Sequence, residues 1–140
     1  MESQIEISIC KTAESLDNLI PQLSQTAKLP TLEDLQRVID CEACTLILAK
    51  VDGKLVGCTT LAVYPCPTGI KAWIEDVVVD ESARGMGIGK SLTLKAIEVA
   101  KEAGAKSVNL TSRPSREAAN KLYQRVGFKL RETNFYRYDI

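Results

Sequence analysis

The 140-residue chain reads as one mixed α/β domain, residues 1–140, with a central mixed sheet of six to seven strands and about four helices. Three observations predict this. The composition, 45% hydrophobic and 26% charged, is that of a soluble globular protein, and the length suits a single core. Period-two and helical hydrophobic patterns follow one another along the chain. A glycine-rich turn in the second half joins a strand to a helix, forming a βαβ-like unit whose strands pair in parallel and make the sheet mixed.

The elements follow in order. Ile5, Ile7 and Ile9 alternate with polar residues, as in a half-buried strand. Residues 13–27 carry Leu16, Leu19, Ile20 and Leu23 at helical spacing, and Lys28 to Pro30 breaks that helix. Thr31 followed by Asp34 caps a second helix bearing Leu32, Leu35, Val38 and Ile39. Leu46–Val51 is a strand, Asp52-Gly53 a hairpin turn, and Leu55–Tyr64 the returning strand. Ile70–Asp80 makes a third strand of the meander. A helix opens at Arg84–Gly89 and runs to about Ala103, where Gly104 ends it. Ser107–Thr111 is a strand. Pro114-Ser115 starts a last helix with Ala119, Leu122 and Val126 inward, stopped by Gly127. Phe128–Ile140 holds two short strand-like pieces around Glu132 to Asn134.

Composition narrows the chemistry. Eighteen basic residues balance eighteen acidic ones, which argues against a nucleic-acid or membrane footprint. With no histidine, Ser-His-Asp triads, Cys-His dyads and His-ligated metals are excluded. Acid–base work falls to carboxylates, Tyr, Lys, Cys or water. The five cysteines (10, 41, 44, 58 and 66) are odd in number and irregular in spacing, so no disulfide framework is expected. Cys41 and Cys44 form a lone CxxC, which lacks the second pair a zinc site wants; no metal is expected, and the cysteines read as small buried hydrophobes. The start of the chain shows no secretory leader, and the uncharged run from Leu55 to Ile70 is broken by Pro65, Pro67 and Gly69. The expectation is a reduced, cytoplasmic protein.

The segment Arg84–Ser91 (RGMGIGKS) carries the strongest chemical signal. The first turn of a helix leaves backbone N–H groups unpaired, and the helix dipole adds positive potential there. Glycines at 85, 87 and 89 permit a sharp turn and close approach of backbone to phosphate, and Arg84 and Lys90 add charge. The nucleotide phosphate loop does not fit, because Gly85 stands one residue too close to Gly89-Lys90-Ser91. The dinucleotide fingerprint fails as well, since the glycines are spaced two and two.

Arg84-Gly85-Met86-Gly87-Ile88-Gly89 resembles the [RQ]-x-x-G-x-[GA] loop of the GNAT superfamily of acyl-CoA-dependent N-acyltransferases. Ala119-Asn120-Lys121-Leu122-Tyr123 with Gly127-Phe128 is similar to that family's A-x-x-L-Y-x-x-x-G-F. The order of elements resembles the fold across nearly the whole chain. The resemblance implies acetyl-CoA as cofactor, its pyrophosphate held by the amides of Arg84, Gly85, Met86, Gly87, Ile88, Gly89 and Lys90. It also implies that Val77, Val78 and Val79 offer backbone to the pantetheine arm, and that their strand splays from Ser107–Thr111. Tyr123 stands where the family places its general acid; a phenol of pKa about 10 can protonate a departing thiolate of pKa about 8.5. The family often has Asn seven residues before that tyrosine. Here the position holds Arg116, which could reach a cofactor phosphate or form surface ion pairs, and Asn120 could serve nearby.

For a base the candidate is Glu75. Period-two alternation puts Trp73, Glu75, Val77 and Val79 on one strand face and Asp76 on the other. A carboxylate among apolar neighbours would have its pKa raised by burial; an ordinary solvated face or a water chain are the alternatives. The stretch Trp73–Asp80 (WIEDVVVD) is similar to glucosamine-phosphate N-acetyltransferases, and Thr111–Phe128 to small stand-alone bacterial members acting on diverse amines. Arg131, Phe135, Tyr136, Arg137 and Tyr138 crowd the last residues, where they could line an acceptor pocket or a homodimer contact. The expected activity is transfer of acetyl to a primary amine, on a small molecule or peptide, by direct attack. The alternative is a non-catalytic CoA-binding sensor or interaction module of the same fold.

Overall fold

A computed structural model describes residues 3–140. Four antiparallel strands form one sheet in the order β1-β2-β3-β4: β1 (Ile5–Ile9), β2 (Cys44–Val51), β3 (Lys54–Cys66) and β4 (Gly69–Val79). The β2–β3 hairpin turns at Asp52 and Gly53, both at positive φ, the twist-compatible geometry expected of an Asp-Gly pair. Of the helices, α1 (Ile20–Leu23) and α2 (Leu32–Asp40) lie between β1 and β2, whereas α3 (Ile88–Glu102) and α4 (Glu117–Val126) follow β4.

Two cores result. On one face, Leu92, Ala96 and Ala100 of α3 pack on Ile47, Ala49, Leu61, Ala72 and Ile74. On the other, Leu16, Leu19 and Leu35 pack on Leu46, Leu48, Cys58 and Val78. The fully buried Leu19, Ile47, Leu48, Leu61 and Leu92 each contribute about 1.5–3 kcal/mol.

The expected helix over residues 13–27 shrinks to the four residues of α1. Pro21 is the cause: it lacks an N–H and is tolerated only in a first turn, so the helix begins at Ile20. Leu16 and Leu19 are nevertheless buried, held by a turn rather than a helix. For α2 the capping reading holds: Thr31 Oγ1 accepts from Asp34 N at 3.0 Å, and the Asp34 carboxylate accepts from Thr31 N at 2.9 Å.

The sheet has four strands, not six to seven. Residues 107–111 meet β4 at one parallel bridge, Trp73 with Asn109. Ile74 N donates to Asn109 O at 2.9 Å, and Asn109 N to Ala72 O at 3.0 Å. Among the described residues, 128–140 form no strand. Strand-like alternation records a preference for extended backbone, but a strand exists only where a neighbour takes its hydrogen bonds.

Candidate active site

The site is built around β4, which has β3 on one side and, past the Asn109 bridge, an open edge on the other. A β-bulge interrupts β4. Thr60 pairs with Glu75 and Cys58 with Val78, so Asp76 and Val77 together face Thr59. Asp76 takes up the extra residue at φ +53, a left-handed conformation that Asp adopts more readily than most side chains. Thr59, fully buried, donates from Oγ1 to Glu75 O at 3.0 Å and pins the bulge from below.

The bulge changes the faces. Beyond it Val77 and Val79 join Ala72 and Ile74 on the α3 face, while Val78 turns into the opposite core. Trp73 and Glu75 thus do not share a face with Val77 and Val79, contrary to simple alternation. The backbone is reset too. Val77 O accepts from Arg116 Nη2 and Val79 O from Arg84 Nε, each at 3.4 Å, so these two residues direct their peptide groups to the open edge. Val78 lies between them and directs its own at β3, where Cys58 is its partner. Of the three valines, Val77 and Val79 turn their carbonyls to the free edge.

Asp80 ends the strand and anchors the turn. Its carboxylate accepts from Ser82 N at 3.0 Å, from the Ser82 hydroxyl, and from Gln22 Nε2 at 2.6 Å, which together hold it below the usual carboxylate range. After a short 3₁₀ turn (Glu81–Ala83), Gly85 and Gly87 adopt φ +84 and +78, and Gly87 is the N-cap of α3 without a side-chain cap. Ser91 N is the first amide of the helix to find a carbonyl, Gly87 O at 3.0 Å. Among the described residues, the amides of 85–90 have no backbone acceptor. A Cβ at Gly85 or Gly87 would meet nothing within 4 Å, so the turn is open to a ligand. Gly89 is different: its Cβ would stand 3.2 Å from Leu122 Cδ2, so its smallness lets α4 pack on α3. Ile88 is buried in the core and contributes only its amide, whereas Met86 and Lys90 are exposed. Consecutive free amides at a helix N-terminus, with Lys90 and Arg84 beside them, fit a diphosphate.

On α4, Tyr123 is 5% exposed and meets Phe128 edge-on, ring centroids 5.8 Å apart. Burial raises its phenol pKa, and the nearby Arg116 guanidinium opposes that rise. Asn120 Nδ2 donates to Arg113 O at 2.9 Å, which fixes the loop entering α4. Arg116 bridges α4 to β4 through Val77. Glu75 reaches solvent and, among the described residues, its carboxylate has no hydrogen-bond or ion-pair partner. Partial desolvation first, and the Asp76 charge second, hold its carboxyl above the usual range. Cys58 beneath the bulge is pushed up to about 12 by burial and by Asp76, so it is no nucleophile. Of the other cysteines, Cys10 is buried, while Cys41, Cys44 and Cys66 reach the surface to differing degrees, so the expectation of five buried hydrophobes holds for two. Hollows lined by Gln4, Ile5, Glu6, Asp52 and Gly53 (about 340 Å³) and by Glu33, Gln36, Arg37, Asp40 and Cys41 (about 480 Å³) hold none of these site residues.

The family model of the acetyltransferase (GNAT) family matches residues 13–128, the stretch that contains the bulged strand, the glycine turn and α4. The chain belongs to the GNAT acetyltransferases. Acetyl-CoA is the acyl donor of this family. A glucosamine 6-phosphate N-acetyltransferase of Trypanosoma brucei brucei is 34% identical over 122 residues, which cover 81% of this chain and 80% of that one. A mycothiol acetyltransferase of Thermomonospora curvata is 37% identical over 101 residues, 70% of this chain but 33% of the relative, so this GNAT chain matches one third of that protein. Among solved structures, a putative acetyltransferase from Agrobacterium tumefaciens superposes with TM-score 0.86 at 25% identity, covering 96% of this chain and 99% of the other. No helix among the described residues is long and apolar enough to cross a membrane.

Two features were not legible in the sequence. Nothing in WIEDVVVD marks Asp76 rather than its neighbours as the bulge, and the contacts of Arg84 and Arg116 with strand carbonyls depend on tertiary placement.

Proposed function

We propose that this chain transfers the acetyl group of acetyl-CoA to the primary amine of a small acceptor by direct attack, with no acyl-enzyme stage. The observation that carries the reading is the run of free amides at 85–90, which abuts the strand edge exposing Val77 and Val79. Turn and edge together suit a diphosphate followed by an extended amide-bearing arm. Val77, Val79 and the amides of Gly85 to Lys90 are the groups assigned to that arm and its diphosphate, with the Lys90 side chain as counter-charge; the Arg84 amide is already donated to Glu81 O. The bound donor supplies an acetyl thioester. The remaining chemistry belongs to the chain's own groups.

The acceptor arrives as an ammonium and must lose a proton before its nitrogen is nucleophilic. Glu75 is assigned that proton: its raised pKa makes it a better base than an ordinary carboxylate, and its solvent access lets the proton leave. The edge-directed N–H of Val77 is the donor for the carbonyl oxygen as negative charge develops there. Tyr123 is the acid toward the departing sulfur. Burial keeps the phenol protonated at neutral pH, and Arg116 stabilises the phenolate left behind. A covalent route through Cys58, the cysteine beneath the bulge, is disfavoured by its burial and raised pKa. One relative is a glucosamine 6-phosphate N-acetyltransferase, which supports a small polar amine as acceptor.

The test is release of free CoA thiol by the purified chain with acetyl-CoA and a panel of amines. Steady acceptor-dependent release supports the reading. CoA binding without turnover on any amine favours a sensor or interaction module instead.

A further inference from the structure

The Cys41–Cys44 motif takes no part in the chemistry above, yet it stands on one tight turn that reaches the surface. Cys41 caps the C-terminal end of α2, its N–H donating to Val38 O at 3.2 Å. Cys44 opens β2, and its N–H donates back to Cys41 O at 3.0 Å. Between them Ala43 O accepts from Val63 N of β3 at 2.7 Å, so the turn is also fastened to the sheet. A turn closed in this way brings its first and fourth Cα atoms within about 7 Å. A disulfide spans about 4.4–6.8 Å between Cα atoms, so the backbone holds the pair near bridging range.

The two thiols are neighbours of unequal character. Cys41 is exposed and Cys44 half-buried. Burial first, and the Cys41 thiol beside it second, raise the pKa of Cys44. One thiol is thus open to attack an incoming molecule and the other is placed to resolve the product. The remaining cysteines do not compete. Cys10 and Cys58 lie in the second core. Cys66 lies along β3 beyond Ala62, the residue paired with Cys44, roughly 13 Å away at about 3.3 Å per residue. Among the described residues, no three metal-ligating side chains gather, so the pair lacks the further ligands of a closed zinc site. The hollow of about 480 Å³ beside Cys41 is lined also by Glu33, Gln36, Arg37 and Asp40. A guanidinium and two carboxylates on one rim suit a small zwitterion.

We propose that Cys41 and Cys44 form a thiol–disulfide exchange site, which takes a small zwitterionic disulfide of the class of oxidised glutathione and closes into an internal disulfide. The Cys41 thiol gives its proton to solvent, and its sulfur attacks one sulfur of the small disulfide. That S–S bond breaks, and the leaving thiolate takes up a proton. The Cys44 thiol, deprotonated in turn, attacks the Cys41 sulfur, forms the internal bond and expels the second small thiol, which is protonated likewise. Two electrons pass from the pair to the small disulfide, and excess small thiol reverses both steps. The site is independent of the catalytic reading, so its test needs no acetyl-CoA. The full chain is incubated with oxidised glutathione, and intact mass and peptide mapping follow wild type, Cys41→Ser, Cys44→Ser and Cys66→Ser. Wild type and Cys66→Ser should each gain a Cys41–Cys44 link and retain no glutathione. Cys44→Ser should hold glutathione at Cys41. Cys41→Ser should form no link and should react at Cys44 roughly tenfold more slowly than Cys44→Ser reacts at Cys41. Thermal melting checks that the reduced variants fold, and the wild-type map decides the matter even where one does not. A wild type that keeps glutathione at Cys41, a link through Cys66, or thiols at 41 and 44 that stay free would overturn the proposal. So would equal rates in the two single variants, since neither thiol would then be the attacking one.

Discussion

Replacing Gly87 by alanine tests the turn without touching a side chain. Gly87 sits at φ +78, and a Cβ there meets nothing within 4 Å. The perturbation is therefore purely conformational. A left-handed residue other than glycine costs about 1–2 kcal/mol. In the free protein the turn can relax toward negative φ and escape that cost, at the expense of the amide alignment. Binding a diphosphate must restore the alignment, so the cost appears in affinity: 1–2 kcal/mol is about a 5- to 30-fold rise in Kd for CoA. Titration calorimetry with CoA reads this directly. The control is acetyl-pantetheine, which carries the thioester but no diphosphate; its kcat/KM should change less than twofold. Equal losses with both donors would show that the substitution disturbs α3 generally. An unchanged Kd for CoA would show that the turn is a connector, and would refute the reasoning.

Further outcomes follow from the same geometry. Tyr123→Phe should keep CoA affinity and lower kcat about 10²-fold, because it removes a proton donor and little packing; stopped-flow single turnover checks it. Glu75→Gln should flatten the acidic limb of kcat/KM. In the wild type that limb lies above the ordinary carboxylate range, with activity falling as pH drops through the Glu75 pKa and the base becomes protonated. Asp76→Gly keeps the positive φ of the bulge but removes the charge that raises Glu75, so the same limb should move to lower pH; an unmoved limb would assign it to another group. Thr31→Ala removes the cap of α2 and should cost about 1 kcal/mol, a fall of about 3–4 °C in Tm by calorimetry.

Local chemistry was readable in the sequence; partnership was not. Thr31 with Asp34, Asp52-Gly53 and Gly127 each announced a cap or turn because a few neighbouring residues decide it. Arg84–Lys90 was legible for the same reason, as glycine spacing and the following helix are local facts. The helix over 13–27 failed on one residue: its hydrophobic spacing was sound, but Pro21 forbade a long helix through it. Residues 107–111 and 128–140 alternate like strands, yet their hydrogen bonds depend on neighbours that no window contains. Glu75 shows the subtler limit. Period-two alternation predicts its face, and one bulged residue at Asp76 shifts that count for everything after it. The bulge is a compromise between Asp76, Thr59 and strand β3, and such an agreement across strands leaves no mark in WIEDVVVD alone.

The central claim is that backbone, more than side chains, takes up the acyl donor at the turn and at the free edge of β4. Amide chemical shifts of the ¹⁵N-labelled protein titrated with CoA measure this residue by residue. The largest shifts are expected at Gly85 to Lys90 and at Val77 and Val79, with Val78 moving less. Saturating CoA that leaves those amides unmoved while others shift would contradict it.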